Sequence, residues 1–282
     1  MVEKSLFRKT ISFLFAFLLV GIFTMPSTSF AADLYGADEP VKTKRIKLGG
    51  AAVIKPEYEG SDEYEVTGYP IVGFESMADS MFDGRVSVDG ADSVKFALIR
   101  KHGFEFGPLG GIRFERDDDD SDTLDGIGDV DTAFVLGGYA KYHFLPKYFA
   151  QVSYHQDVTD EDTGYEIKFG VGTEQRLPNG WKMEAYVGGV FSDEEYFDTY
   201  FGVTAAQSMS STAGLGVYNP DDGIKSIEVS LGFEIPLNER WELHVKGQYD
   251  RLLDEAADSP IVEDENQFVG VLGLAYYFDW NH

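Results

Sequence analysis

From Trp241 to Asp250 the odd positions read Trp241, Leu243, Val245, Gly247 and Tyr249, and the even ones read Glu242, His244, Lys246, Gln248 and Asp250. A period of two without exception fits a pleated strand with one apolar and one wet face. On a helix the same charges would be scattered around the whole circumference. The pattern recurs where Tyr165, Ile167, Phe169 and Val171 alternate with Glu166, Lys168, Gly170 and Gly172, and where Ile227, Val229, Leu231 and Phe233 alternate with Glu228, Ser230, Gly232 and Glu234. The last segment sets Phe268, Leu272, Leu274, Tyr276 and Phe278 on one face. Weaker versions run through Lys47 to Val53, Val66 to Phe74, Phe82 to Val88, Val94 to Leu98, Phe104 to Phe114, Thr132 to Phe144, Tyr148 to His155 and Trp181 to Phe191. The chain therefore predicts an all-β fold of about twelve strands, an even number in the range of single-chain bacterial barrels.

Alternation alone does not say which face is inside, because a soluble barrel turns its apolar face inward and a membrane barrel turns it to lipid. Three features favour a single closed antiparallel transmembrane β-barrel. Many segments run about 10 residues, enough to cross a bilayer at a tilt, whereas average strands have about 5 to 6. The polar faces carry charges of both signs, as a wet lumen would. Short turns at Ser76 to Asp79, Lys101 to Gly103, Leu145 to Pro146, Pro178 to Gly180 and Pro236 to Glu239 alternate with long connections at Arg116 to Asp131, Asp157 to Gly164, Ser192 to Gly223 and Leu252 to Asn266. Short turns belong at the periplasmic end and long loops at the outer surface. Trp181, Trp241 and Tyr148 follow short turns, where either an interfacial girdle or ordinary cross-strand packing would place them.

The compartment is read from the N-terminus. Lys4, Arg8 and Lys9 precede an apolar run from Ile11 to Phe23, and Ser29-Phe30-Ala31 fits a signal-peptidase site. Residues 1–31 are expected to be a signal peptide, and 32–282 the barrel, in a Gram-negative outer membrane. No later stretch is apolar enough for a membrane helix. With no cysteine, disulfide and thiolate metal sites are excluded. The formal charge is −26, and loss of Glu3, Lys4, Arg8 and Lys9 leaves −28. Nucleic acid is excluded as a partner, because phosphate binding needs concentrated bases.

The four long connections hold 8, 4, 6 and 6 acidic residues against one base, Arg116. The densest run is Asp117 to Asp120 with Asp122, Asp125, Asp129 and Asp131. Two readings stand: weak Ca²⁺ or Mg²⁺ binding that bridges to lipopolysaccharide phosphates, or a solvated loop. The predicted lumen mixes Lys47, Arg85, Lys95, Arg113, Lys141, Lys168, Lys182 and Lys246 with Glu166, Glu174, Glu184, Glu228, Glu234, Glu242 and Asp250. That composition suits either a salt-bridged plug or a narrow water path. Tyr200 to Ala206 is unusually apolar for an exposed loop, so Ser192 to Gly223 is expected to fold inward as a constriction or to pair as an extra strand.

No catalytic, cofactor or metal-ligand set is predicted. His143, His155 and His244 fall on wet faces outside any nucleophile motif, and neither a glycine-flanked serine elbow nor a metal-spaced His pair occurs.

Several segments resemble the MipA/OmpV family of outer-membrane proteins. They are Pro56-Glu57-Tyr58-Glu59-Gly60-Ser61, Leu124-Asp125-Gly126-Ile127-Gly128-Asp129-Val130, Tyr200-Phe201-Gly202-Val203, and Arg251-Leu252-Leu253 followed by Ala256-Ala257-Asp258-Ser259-Pro260-Ile261-Val262. Tyr276-Tyr277-Phe278 resembles the family's terminal signal for the barrel-assembly machinery, although Asp279-Trp280-Asn281-His282 follow it. The resemblance implies a non-enzymatic scaffold between a murein lytic transglycosylase and a murein synthase, embedded among outer-membrane lipid and lipopolysaccharide. Two rivals remain: a small cation-favouring pore, and an adhesin acting through the acidic loops.

Overall fold

A computed structural model describes residues 44–75, 86–88, 90–159 and 163–280. The expected signal peptide, the Ser76 to Asp79 turn, Arg85 and Asp160 to Asp162 lie outside the described residues. Thirteen strand segments follow one another: β1 (Lys44–Pro56), β2 (Tyr64–Glu75), β3 (Val86–Val88), β4 (Val94–Phe96), β5 (Ile99–Lys101), β6 (Phe104–Arg113), β7 (Ala133–Leu145), β8 (Tyr148–Asp157), β9 (Tyr165–Arg176), β10 (Lys182–Ser192), β11 (Gly223–Pro236), β12 (Trp241–Leu252) and β13 (Asn266–Trp280). They form one antiparallel ladder in the order β2-β1-β13-β12-β11-β10-β9-β8-β7-β6-β4-β3, with β5 also on β6. β4 and β5 are two halves of one crossing, so twelve strands make the wall.

The break within that crossing has a backbone cause. Lys95 faces Leu109 and Ile99 faces Phe106, so four steps on one side oppose three on the other, a bulge. Gly107 permits it, because a Cβ there would lie 1.9 Å from the Phe96 carbonyl oxygen. Tyr69 on β2, at one end of the ladder, and Phe114, just past β6 and two places in from the other end, lie 5.9 Å apart ring to ring, so the barrel is nearly closed. Asp279 and Trp280 continue the pairing of β13 with β1.

Burial is inverted relative to a soluble barrel. Arg113, Lys95, Lys225, Glu166 and Glu242 are buried, while Val66, Leu136, Phe169, Val229 and Leu272 stand 41–70% exposed around the outer wall. Such a surface is stable only against acyl chains. Trp241 packs edge-on against Tyr276 at 4.9 Å, and Trp181 against Phe233 at 6.1 Å. The girdle and cross-strand readings of these aromatics therefore describe the same residues.

Candidate functional site: the capped lumen

The long outer connections do not splay into solvent. Ser192 to Gly223 adds no strand to the wall; it forms two short helices, α1 (Glu194–Tyr200) and α2 (Ala205–Ser210), with a bridge between Val203 and Tyr218. Each helix has a capping residue: Asp193 accepts from the Tyr196 amide, and Thr204 accepts from the Gln207 amide. Asp193 also accepts from the Tyr165 amide at 2.9 Å, which ties α1 to the top of β9. A third helix, α3 (Asp254–Ala257), follows β12.

The apolar loop residues bury against one another. Val130, Tyr196, Phe197, Tyr200, Phe201, Leu252 and Ala256 form one cluster, and Tyr58, Leu124, Ile127, Val203 and Ile261 form a second. Burial thus explains the apolar Tyr200-Phe201-Gly202-Val203 run, and all four of its residues are buried. The acidic run Asp118–Asp120 is a single 3-10 turn on the outside of this cap, with none of its residues buried. Among the described residues no group of three or more His, Asp or Glu is arranged to hold a metal ion.

Beneath the cap a continuous ion network crosses the lumen. Glu166 on β9 receives Lys225 of β11 at 2.6 Å and Arg113 of β6 at 3.1 Å. Lys225 also meets Glu59 of the β1–β2 loop at 2.8 Å and donates to the Tyr196 hydroxyl at 2.9 Å. That hydroxyl donates in turn to Glu59 at 2.8 Å. The Arg113 guanidinium lies 4.7 Å from the centre of the Tyr196 ring and donates to the Thr163 carbonyl at 2.6 Å. Burial pushes the Tyr196 phenol well above its usual range, with Glu166 and Glu59 adding to the shift. Tyr196 therefore acts as a neutral donor that links the cap to the charges below.

A second crossing comes from the β3–β4 hairpin. Its tip lies against β6, where the Ile112 amide donates to the Ala91 carbonyl at 3.0 Å. Gly111 is required there, because a Cβ would meet the Ala91 oxygen at 2.1 Å. From the tip Asp92 reaches Lys168 at 2.6 Å and His155 at 3.4 Å, and the other nitrogen of His155 is 2.9 Å from the Ser153 hydroxyl. Ser, His and Asp in this order resemble a hydrolase triad, but Ser153 is 4% exposed and His155 fully buried, leaving no room for a substrate carbonyl. The group pins the hairpin across the lumen.

Nearer the short turns the pairs are local. Glu242 takes Lys47 at 3.1 Å and the Tyr277 hydroxyl at 3.0 Å, with His244 at 3.0 Å. Lys182 meets Glu234 at 2.7 Å, and Lys141 meets Glu174. Of the two compositional readings of the lumen, these contacts match the salt-bridged one. Of the residues expected from alternation, Lys47, Arg113, Lys141, Lys168, Lys182, Glu166, Glu174, Glu234 and Glu242 take part in these ion pairs, and Glu59, Asp92 and Lys225 join them from outside that set.

The model of a family described as MltA-interacting protein MipA matches residues 48–278. The chain belongs to this family. It is 25% identical over 167 residues to the putative outer membrane protein YiaT of Escherichia coli K12, covering 59% of this chain and 66% of that protein. It is 29% identical over 128 residues to outer membrane protein OmpV of Vibrio cholerae, 44% and 47% of the two chains. With the MltA-interacting protein of E. coli K12 it shares 27% over 146 residues, 51% and 56%. The chain thus spans about half to two-thirds of the length of these relatives. Among solved structures, an outer membrane channel from Pseudomonas putida F1 aligns over 88% of this chain and all of its own, at 9% identity and a TM-score of 0.38. Barrel, inverted burial and relatives together place this MipA-family member in the outer membrane.

Proposed function

We propose that the chain is a non-enzymatic anchor that positions cell-envelope proteins, with its periplasmic turns and barrel wall as the docking surface and murein-processing enzymes as the partner class. The observation that carries this reading is the filled lumen: one ion network from β6 through β9 and β11 to Glu59, and a second through Asp92. A barrel bridged wall to wall is suited to holding position more than to conducting solute. The name of one relative, MltA-interacting protein, supports the choice of a murein transglycosylase as a partner. In this proposal the exported chain begins at Ala32 and assembles through its C-terminal aromatic strand.

The test is capture of envelope proteins from solubilised membranes by the mature chain, paired with planar-bilayer recording. Recovery of a murein enzyme above a same-size barrel control, with a silent bilayer, is expected. No such recovery, together with stable cation-selective steps, would replace the anchor with a pore fed by the acidic outer mouth.

A further inference from the structure

Outside the lumen, at the short-turn rim of the wall, a base is held against the outward-facing aromatics. Tyr276 and Phe278 face outward with Trp241, at the short-turn end of β12 and β13. Tyr276 lies edge-on to Trp241 at 4.9 Å and to Phe278 at 4.7 Å. Against this aromatic wall the Arg240 guanidinium donates to the Tyr276 hydroxyl at 2.9 Å.

The backbone holds Arg240 in place. The Asn238 side-chain oxygen accepts from the amides of Arg240 at 2.9 Å and Trp241 at 3.0 Å, and the Arg240 carbonyl accepts from Tyr277 at 2.8 Å. No carboxylate among the described residues forms an ion pair with Arg240; Asp279 is taken by Arg45 at 3.0 Å. Of five guanidinium N–H groups, the Tyr276 contact uses one. Asp279 and Glu239 act on this charge only from beyond ion-pair distance, so among the described residues the guanidinium has no carboxylate in contact, and the bilayer supplies phosphate at that depth.

The arrangement recurs in simpler form. Lys101 is the register partner of Phe104, whose ring stacks on Tyr142 at 4.2 Å. Lys147 sits in the turn beside the stacked Phe144 and Tyr148 rings, 6.3 Å apart, and donates to Gln175 at 3.4 Å. Three of the four described short turns therefore set a base beside outward aromatics. At the opposite end, the four long connections carry 24 acids and one base. The long-connection end therefore repels anionic headgroups far more strongly than the short-turn end does.

We propose that Arg240, Tyr276 and Trp241 form a binding site for the phosphate of an anionic phospholipid in the periplasmic leaflet, with Lys101 and Lys147 as weaker equivalents. The guanidinium fork takes two phosphate oxygens, and Tyr276, which accepts from Arg240, donates its own proton to a third. The indole edge of Trp241 lies at the glycerol level. This assignment depends on the barrel crossing a bilayer and not on the scaffold reading.

The test is native mass spectrometry of the mature chain in mixed micelles containing phosphatidylglycerol, phosphatidylcholine, or phosphatidylglycerol with inorganic phosphate. Retention of phosphatidylglycerol several-fold over phosphatidylcholine is expected. Arg240→Gln should weaken it about tenfold, the factor for losing a charge-assisted bond, and Tyr276→Phe should weaken it less. Arg251→Gln, a base at the opposite end, should leave retention unchanged. Equal retention of the two lipids, an unaltered Arg240→Gln variant, or an equal loss in Arg251→Gln would overturn the site. Displacement by inorganic phosphate at equal concentration would mark a free-anion site and overturn the lipid assignment. Heat-modifiable gel mobility checks that each variant is folded; if Arg240→Gln does not fold, Tyr276→Phe and Arg240→Lys decide the question.

Discussion

Glu166→Gln removes one negative charge from the centre of the lumen network and keeps the shape of the side chain. In the parent, Glu166 is 3% exposed and bridges Lys225 at 2.6 Å and Arg113 at 3.1 Å, both themselves buried. Breaking a buried pair by removing one partner costs about 3–5 kcal/mol, because the remaining charge is stranded. Here the lower figure applies: Lys225 keeps Glu59 at 2.8 Å, and Arg113 keeps the Thr163 carbonyl at 2.6 Å. At about 1.4 kcal/mol per tenfold, a loss of about 3 kcal/mol shifts the unfolding equilibrium roughly two orders of magnitude. Guanidinium unfolding in detergent micelles, followed by tryptophan fluorescence and gel mobility, reads the change. The quadruple variant Glu59→Gln, Arg113→Met, Glu166→Leu, Lys225→Met should recover most of it, since replacing a buried ion group together with all of its partners is often neutral or stabilising. If Glu166→Gln lies within about 0.5 kcal/mol of the parent, the network is hydrated and the filled-lumen argument fails.

Phe197→Ala and Phe201→Ala each delete a fully buried ring of the cap and should cost about 3–5 kcal/mol locally, seen as faster proteolysis of the outer loops while the barrel stays intact. Gly137→Ala would bring a Cβ to 1.8 Å from the Tyr154 carbonyl oxygen, so β7 and β8 must part; the expected result is loss of the folded, heat-modifiable band. The Tyr200 phenol is pushed up to about 12, mainly by burial with Arg113 opposing, and burial also raises Tyr58, Tyr196 and Tyr218. These groups keep protons that the unfolded chain releases near pH 10, so their contribution to cap stability is intact below pH 10 and lost as pH climbs toward 12. Tyrosinate absorbance against pH checks the sign, since titration of all sixteen tyrosines at the ordinary value would contradict a packed cap.

Alternation made the wall legible because lipid outside and water inside repeat at every second residue. The Trp241 to Asp250 pattern became β12, and Phe268 to Phe278 lies within β13. It also gave one partner of most lumen pairs, including Arg113 and Glu166. What it missed breaks the period. Lys225 has the parity of the outward Ile227 and Val229, yet it is buried with Glu166. The reason is a bulge: Val190 faces Ser226 and Phe191 faces Ile224, so Lys225 is the extra residue and turns inward. Glu59 and Asp92 sit in connections, where no periodicity assigns a face. The helices of Ser192 to Gly223 were hidden for a related reason: six- and seven-residue helices are too short to show a stripe, although the apolar Tyr200 to Val203 run correctly marked burial.

The number of strands explains why these aperiodic residues matter. About eight strands give a barrel whose own side chains meet at the axis, and the interior widens with each added pair. With twelve, side chains from opposite walls no longer reach one another, and an unfilled lumen would be a water channel. This chain spans the gap with backbone: the hairpin tip carries Asp92 to Lys168, and the cap brings Tyr196 to Lys225 and Glu59. Each insertion sets a small set of charges against the wall, so opening the lumen requires withdrawing both, not rotating a single side chain. Asp92→Asn alone should therefore leave the bilayer silent, whereas Asp92→Asn combined with removal of 194–222 should conduct. Conductance from Asp92→Asn alone would show that the cap does not cross the axis.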